Sequence, residues 1–242
     1  MSSALLRTFT AVIVLWLVLD GTARALGSVR GEYGVVVCAA VLLVAFVVET
    51  VLARTRPRET LVALGLRAPN VRSAIWTVVL CVGLLAFLAL YANATGVTIA
   101  ARSDAWLLAL GMFAQGGIAE ELVFRGFLFR RLRETRSFWR AAAVAAIPFI
   151  AVHLTLFVTL PADVATMALL VSLSLTFPFA RLFERSGGSV VPVAILHFVV
   201  QGSLKVLDGD EAVAKLAIPW MVVAALAPWL VFLQCRDPKP RR

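Results

Sequence analysis

The sequence has little charge. Charged residues make up 15% of its 242 residues and hydrophobic residues 61%, with a mean hydropathy of +0.93. A soluble domain averages nearer a quarter charged residues, so the composition excludes an ordinary soluble protein and predicts an integral membrane protein. The net charge is +9, but no basic run is interleaved with aromatic residues. We therefore expect membrane lipid, and no nucleic acid, as the partner of these cations.

The sequence also lacks several signatures of sites and folds. Its three cysteines, Cys38, Cys81 and Cys235, have no paired spacing, which excludes a disulfide framework and indicates small apolar residues. The absence of H-E-x-x-H disfavours a zinc membrane protease. The absence of G-x-S-x-G beside the histidines disfavours a serine enzyme. Neither inverted repeats nor paired broken helices occur, which disfavours a proton-coupled transporter.

Long apolar runs fill most of the chain, and a membrane span needs about 20 such residues. We predict an all-α, polytopic membrane protein, a single domain over residues 1–242 with about eight transmembrane helices. Its core is expected on spans four to seven, residues 106–207. Residues 57–72 mix leucines with arginines and suggest an interfacial segment on the cytoplasmic side. The predicted spans are 5–19, 34–52, 73–91, 106–130, 141–160, 164–183, 190–207 and 213–233.

Basic residues are distributed unevenly between the predicted loops. With both termini inside, 17 of the 23 Lys and Arg residues lie on the cytoplasmic side, as the positive-inside rule requires. An odd number of spans would destroy this asymmetry. We therefore expect a multi-pass cell-membrane protein with cytoplasmic termini. The first apolar run resembles a cleavable signal peptide, although Asp20 and Arg24 beside the would-be cleavage site argue against one.

Three ionisable residues interrupt the fourth apolar run, where charge is costly and usually functional. Glu121 and Arg125 are four residues apart, so on a helix they share a face and can form an ion pair. Glu120 is rotated by about 100° from Glu121 and projects elsewhere. We therefore expect Glu121 and Arg125 to balance each other and Glu120 to face a pocket.

The only two histidines of the chain lie in two other apolar runs. Counted from the predicted inner ends, Glu120, His153 and His197 lie roughly 12 to 20 Å deep and could meet in one layer. A carboxylate and an imidazole around one water can activate it against a carbonyl. A second imidazole and the Gln201 amide, one turn after His197, could donate hydrogen bonds to a developing oxyanion.

The three motifs occur in a familiar order. The pattern E-E-x-x-x-R from Glu120, F-x-x-x-H from Phe149 and H-x-x-x-Q from His197 resembles the CPBP family. These are the CAAX-prenyl-protease and bacteriocin-processing intramembrane peptidases, also called Abi proteins. The resemblance covers about residues 111–201 and implies an eight-helix, glutamate-dependent, metal-independent membrane endopeptidase without a cofactor.

By the same resemblance, Glu120 and His153 activate the water, His197 and residue 201 support the oxyanion, and Glu121 and Arg125 orient the site. The substrate would be a peptide or protein with a membrane-proximal segment. Position 201 departs from the pattern, because the family usually has Asn or Asp there. A non-catalytic immunity or scaffold protein of the same fold therefore stays open. So does a metal-assisted version of the site, since two histidines and a carboxylate could bind zinc.

Overall fold

The computed structural model describes residues 3–27, 31–54 and 56–233. Within these ranges the chain is helical, apart from turns and one isolated bridge between Ala101 and Leu207. This confirms the predicted all-α class and the polytopic architecture. Two predictions concern residues outside the described ranges. They are the cytoplasmic position of Arg236, Lys239, Arg241 and Arg242, and the apolar environment of Cys235.

Ten helices in chain order make up the described part of the molecule. We count α5 as one helix, because its α-helical and π-helical parts follow one another without a break. The helices are α1 Ser3–Ala25, α2 Gly34–Ala53, α3 Pro57–Ala63, α4 Val71–Ala94, α5 Ala105–Arg133, α6 Phe138–His153, α7 Leu156–Thr159, α8 Ala162–Arg185, α9 Val191–Gly202 and α10 Asp210–Leu226, which continues as the 3₁₀ turns Ala227–Leu233.

Seven helices in the described residues are long and apolar enough to cross a membrane. They correspond to seven of the eight predicted spans. The exception is the predicted span 190–207, whose helix α9 has only 12 residues. Such a helix is about 18 Å long, well short of the roughly 30 Å hydrocarbon core. Residues 203–206 continue it as turns.

The segment 190–207 nevertheless joins opposite ends of the bundle. At its start, Val190 N–H donates to the Gly65 carbonyl at 3.0 Å. At its end, Leu207 pairs with Ala101, just before α5 begins. Because α5 runs from that end to the end that holds Gly65, α9 and its turns return across the bundle. We call the end with Gly65 and Arg133 the arginine end, and the end with Ala101 and Leu207 the bridge end.

The segment 57–72 packs onto the arginine end of the bundle. Its helix α3 begins at Pro57, with Glu59 accepting a hydrogen bond from the Arg56 N–H at 3.0 Å. Leu64 is fully buried, and its carbonyl meets α5 at Gly126, where a Cβ atom would overlap it. Ser189 donates to the Arg67 carbonyl at 2.6 Å. The segment therefore holds α5 and the start of α9 together.

Candidate functional site

The glutamate pair lies in an unusual part of α5. Residues Phe113–Ala119 and Leu122–Phe129 are π-helical, and Glu120 and Glu121 stand between these two stretches. A π-helical turn closes its hydrogen bond five residues along instead of four, and such turns occur frequently at functional sites. The wider turns change the direction in which each following side chain projects. The α-helical spacing assumed from the sequence is therefore only approximate here.

Glu121 binds two partners through the same oxygen. Arg125 Nη1 donates to Glu121 Oε1 at 2.9 Å, and His197 Nδ1 donates to that oxygen at 2.7 Å. Glu121 is 0% exposed. Its other oxygen has no hydrogen-bond partner among the described residues. The expected Glu121–Arg125 pair is confirmed, and the structure adds His197 to it.

Two aromatic rings flank the Arg125 guanidinium. Its Cζ lies 4.5 Å from the centre of the Phe149 ring and 5.3 Å from that of Phe179. A desolvated cation over a ring face gains about 2 kcal/mol or more. Phe149 begins the F-x-x-x-H motif, whereas Phe179 lies on α8, outside all three motifs. No sequence signal identified Phe179, because it resembles any other buried apolar residue of its helix.

Glu120 faces the other side of the same imidazole. Its Oε2 lies 4.0 Å from His197 Nε2, and its side chain is 18% exposed. The separation is too long for a direct hydrogen bond and suits a single bridging water, with room for about 2.8 Å to each atom. The sequence expectation that the two glutamates have different surroundings is therefore met. Glu121 is sealed in and Glu120 is accessible.

His153 ends α6 and lies near the same group. Its Nδ1 is 2.7 Å from the Phe149 carbonyl, and its ring packs 4.6 Å from the Phe149 ring. Because a carbonyl oxygen can only accept, Nδ1 carries the proton, and Nε2 of the neutral ring is an acceptor. His153 and His197 both lie close enough to Glu120 for their charges to interact. Their arrangement in one layer stays a prediction.

Gln201 approaches α5 one turn before the glutamates. Its Oε1 lies against Gly116, where an added Cβ atom would overlap it, and its Nε2 is 3.7 Å from the same point. Gly116 therefore provides the space that the Gln201 amide fills. Gln201 is half-buried and approaches the same helix as the glutamates, as the one-turn spacing from His197 predicts.

No three His, Cys, Asp or Glu side chains in the described ranges are grouped so that they could hold a metal ion. The two cysteines there, Cys38 and Cys81, are free and buried, in agreement with their prediction as apolar core residues. The absence of a cofactor stays a prediction, based on the family resemblance.

The comparison with protein families falls on this part of the chain. Residues 102–203 match the family model described as "Type II CAAX prenyl endopeptidase Rce1-like". This segment, 102 of the 242 residues, is similar to that family. This confirms the family resemblance drawn from the three motifs, all of which lie inside the matched segment. No curated protein matched the chain in sequence.

The Rce1-like segment contains α5, α6, α8 and α9, the four helices that carry the site. The α1, α2, α4 and α10 helices lie outside it. The match therefore covers all the candidate site residues named from the sequence. The surrounding helices provide packing, as when Trp220 of α10 donates to the Val200 carbonyl beside Gln201 at 3.0 Å.

Proposed function

We propose that the protein is an intramembrane endopeptidase that hydrolyses a peptide bond with a water activated by Glu120 and His153. The observation that carries this proposal is His197 held between the two glutamates. Nδ1 is fixed on buried Glu121, and Nε2 faces accessible Glu120 across 4.0 Å. That arrangement lies in the segment similar to the Rce1-like family. A purely structural ion pair between Glu121 and Arg125 would not require a second carboxylate and two histidines.

In this mechanism the water oxygen attacks the carbonyl carbon while a water proton passes to Glu120. His153 assists through Nε2, which accepts a hydrogen bond when the ring is neutral. The carbonyl oxygen becomes an oxyanion, stabilised by hydrogen bonds from the Gln201 amide and from His197 Nε2 in its protonated form. Glu120 then returns the proton to the leaving amine as the C–N bond breaks. Glu121 and Arg125 touch no reacting atom and orient His197.

The substrate we propose is a peptide or protein whose scissile bond lies close to the membrane. The site lies within apolar helices, so a substrate segment must reach membrane depth. We further propose that 190–207 is a full crossing, which gives eight crossings and places both termini in the cytoplasm. The ends of α5 and α8 that carry arginines would then face the inner leaflet.

A second candidate is a non-catalytic scaffold or immunity protein with the same fold, and Gln201 is the observation that favours it. The Gln201 amide is one methylene longer than the Asn that the family pattern usually has. If its Nε2 cannot reach the oxyanion, the remaining residues would still fold the core. The two candidates differ in whether the biological effect of the protein needs Glu120.

Mass spectrometry of cellular peptides tests the proposal. Cells with the wild-type chain are compared with cells carrying Glu120→Ala and with cells carrying Glu134→Ala, a matched control at an exposed glutamate directly after α5. We expect peptide termini that depend on the wild-type protein to disappear only with Glu120→Ala. Products that persist in this variant at equal protein level would rule out the protease. A phenotype of the wild type that survives without any such products would favour the scaffold.

A further inference from the structure

Phe179 is the one aromatic residue in the described chain that contacts both Arg125 and His197. Its ring centre lies 5.3 Å from the Arg125 Cζ and 5.4 Å from the centre of the His197 ring, at an interplanar angle of 56°. The side chain is 0% exposed. Nothing in the mechanism above uses it, and no motif contains it.

The geometry gives this ring a specific role. The imidazole of His197 is held by one hydrogen bond, from Nδ1 to Glu121, and one bond leaves a ring free to rotate and tilt about it. Glu121 Oε1 is also the acceptor for Arg125, so movement of the guanidinium disturbs the bond to His197. Phe179 limits both movements, because it contacts the guanidinium and the imidazole at once.

Phe149 has the corresponding place on the other side of Arg125. It contacts the guanidinium at 4.5 Å and the His153 ring at 4.6 Å, and its carbonyl accepts the His153 Nδ1 hydrogen bond. His153 is therefore tied to Phe149 by a backbone hydrogen bond as well as by ring contact. Among the described residues, no backbone group forms a hydrogen bond with the His197 ring, so its orientation depends more strongly on the Phe179 ring.

We propose that Phe179 is a positioning residue that holds His197 Nδ1 on Glu121 and so aims Nε2 at Glu120. In relation to catalysis this inference rests on the proposed function, but the orientation of the ring can be measured without any substrate. An aliphatic side chain of similar size would fill the space and fold. It would lack the ring face that a buried guanidinium needs.

The test uses the fact that the chain has two histidines. Full-length protein in detergent micelles, labelled with ¹⁵N-histidine, gives two imidazole spectra, assigned with His153→Gln. We expect Phe179→Leu to weaken the hydrogen-bonded Nδ1–H signal of His197 and speed its exchange with solvent, while His153 changes little. Phe183→Leu is the matched control, because Phe183 is a buried phenylalanine one turn along α8 that contacts Phe129 instead.

If Phe179→Leu does not fold, Phe179→Met provides a flexible, unbranched side chain that can fill an irregular space in the core. An unchanged His197 signal in the Phe179 variant would overturn the proposal. So would an equal effect of Phe179 and Phe183 variants, because that would indicate general packing. On a substrate found through the Glu120 comparison, we expect turnover to fall on the order of ten- to a hundredfold with KM unchanged, and Phe179→Tyr to retain most of it.

These readouts separate the two proposals. If Glu120→Ala leaves every product intact, the protease proposal fails, while the imidazole spectra still report whether Phe179 orients His197. If the spectra are unaffected and Glu120→Ala abolishes the products, Phe179 is only a packing residue beside an active site.

Discussion

At the scale of single residues, the division of labour between Glu120 and Glu121 is the central feature. Adjacent positions on a helix cannot share surroundings, so the two carboxylates face different neighbours. Glu121 is sealed against Arg125 and His197, which compensates for the cost of a buried charge. Glu120 keeps 18% of its side chain exposed. A carboxylate can handle a proton from water only if water can reach it, which is why we assign the chemistry to Glu120.

Gln201 and Gly116 form a second pair at this scale. Because an Ala Cβ at position 116 would overlap the Gln201 amide, we expect Gly116→Ala to displace that amide and lower the yield of cleavage products on the order of tenfold or more. The shorter Gln201→Asn should recover part of the loss in the double variant. A double-mutant cycle on product formation measures this coupling.

Gly83→Ala is the control for that cycle, because nothing lies within 4 Å of its added Cβ atom. Independent losses in the Gly116→Ala and Gln201→Asn variants, with no recovery in combination, would contradict the pairing. The pair also bears on the departure from the family pattern. The longer amide at 201 is accommodated by a glycine, and no strain is needed to fit it.

At the scale of elements, α5 depends on a clamp far from the glutamates. Glu49 of α2 is 1% exposed and accepts from Arg130 Nη2 and Arg131 Nη2, each at 2.8 Å. Two arginines of α5 therefore neutralise a buried carboxylate and fasten α5 to α2.

We expect Glu49→Ala to lower the free energy of unfolding by about 3 kcal/mol, the lower end of the range for breaking a buried ion pair. The lower end applies because both arginines stay partly exposed. Thermal unfolding of the purified protein in detergent measures the loss. Glu134→Ala is the control, since Glu134 binds Arg130 at the surface with 60% exposure and should change stability by less than about 1 kcal/mol. Equal effects would contradict a special role for the clamp.

At the scale of the whole molecule, the two ends of the bundle differ in charge. The arginine end holds Arg130, Arg131 and Arg133 with the Arg181–Glu184 pair. By the positive-inside rule, we propose that this end faces the cytoplasm. Thr135 lies there between α5 and α6, and Glu211 lies at the opposite end with an 84% exposed side chain.

Single cysteines test this orientation in a background in which the three native cysteines are replaced by Ser. We expect Thr135→Cys to react with a membrane-impermeant maleimide only in inside-out vesicles, and Glu211→Cys only in right-side-out vesicles. Labelling of both from one side would refute the proposed return of the chain through 190–207. Labelling with the two sides exchanged would refute the cytoplasmic position of the termini.

The sequence by itself determined the membrane class, seven long helices close to their observed bounds, and the candidate residues. Apolar length and scarce charge are local properties, and buried ionisable residues stand out against them. It also predicted the Glu121–Arg125 pair, because that contact lies within one helix. The sequence overestimated the length of α9 by predicting a span over 190–207. The apolar composition continues through the turns that follow the end of the helix at Gly202.

Only the tertiary structure decided how these parts meet. Several features join separate segments or depend on how the segments pack. They are the π-helical turns around Glu120 and Glu121, the His197 bond to Glu121, the Phe149 and Phe179 rings on Arg125, and the Glu49 clamp. Their partners lie 24 to 82 positions apart in the chain. Spacing within a helix predicts which side chains share a face. Which face meets which neighbour depends on helix packing, and that is set by the whole bundle.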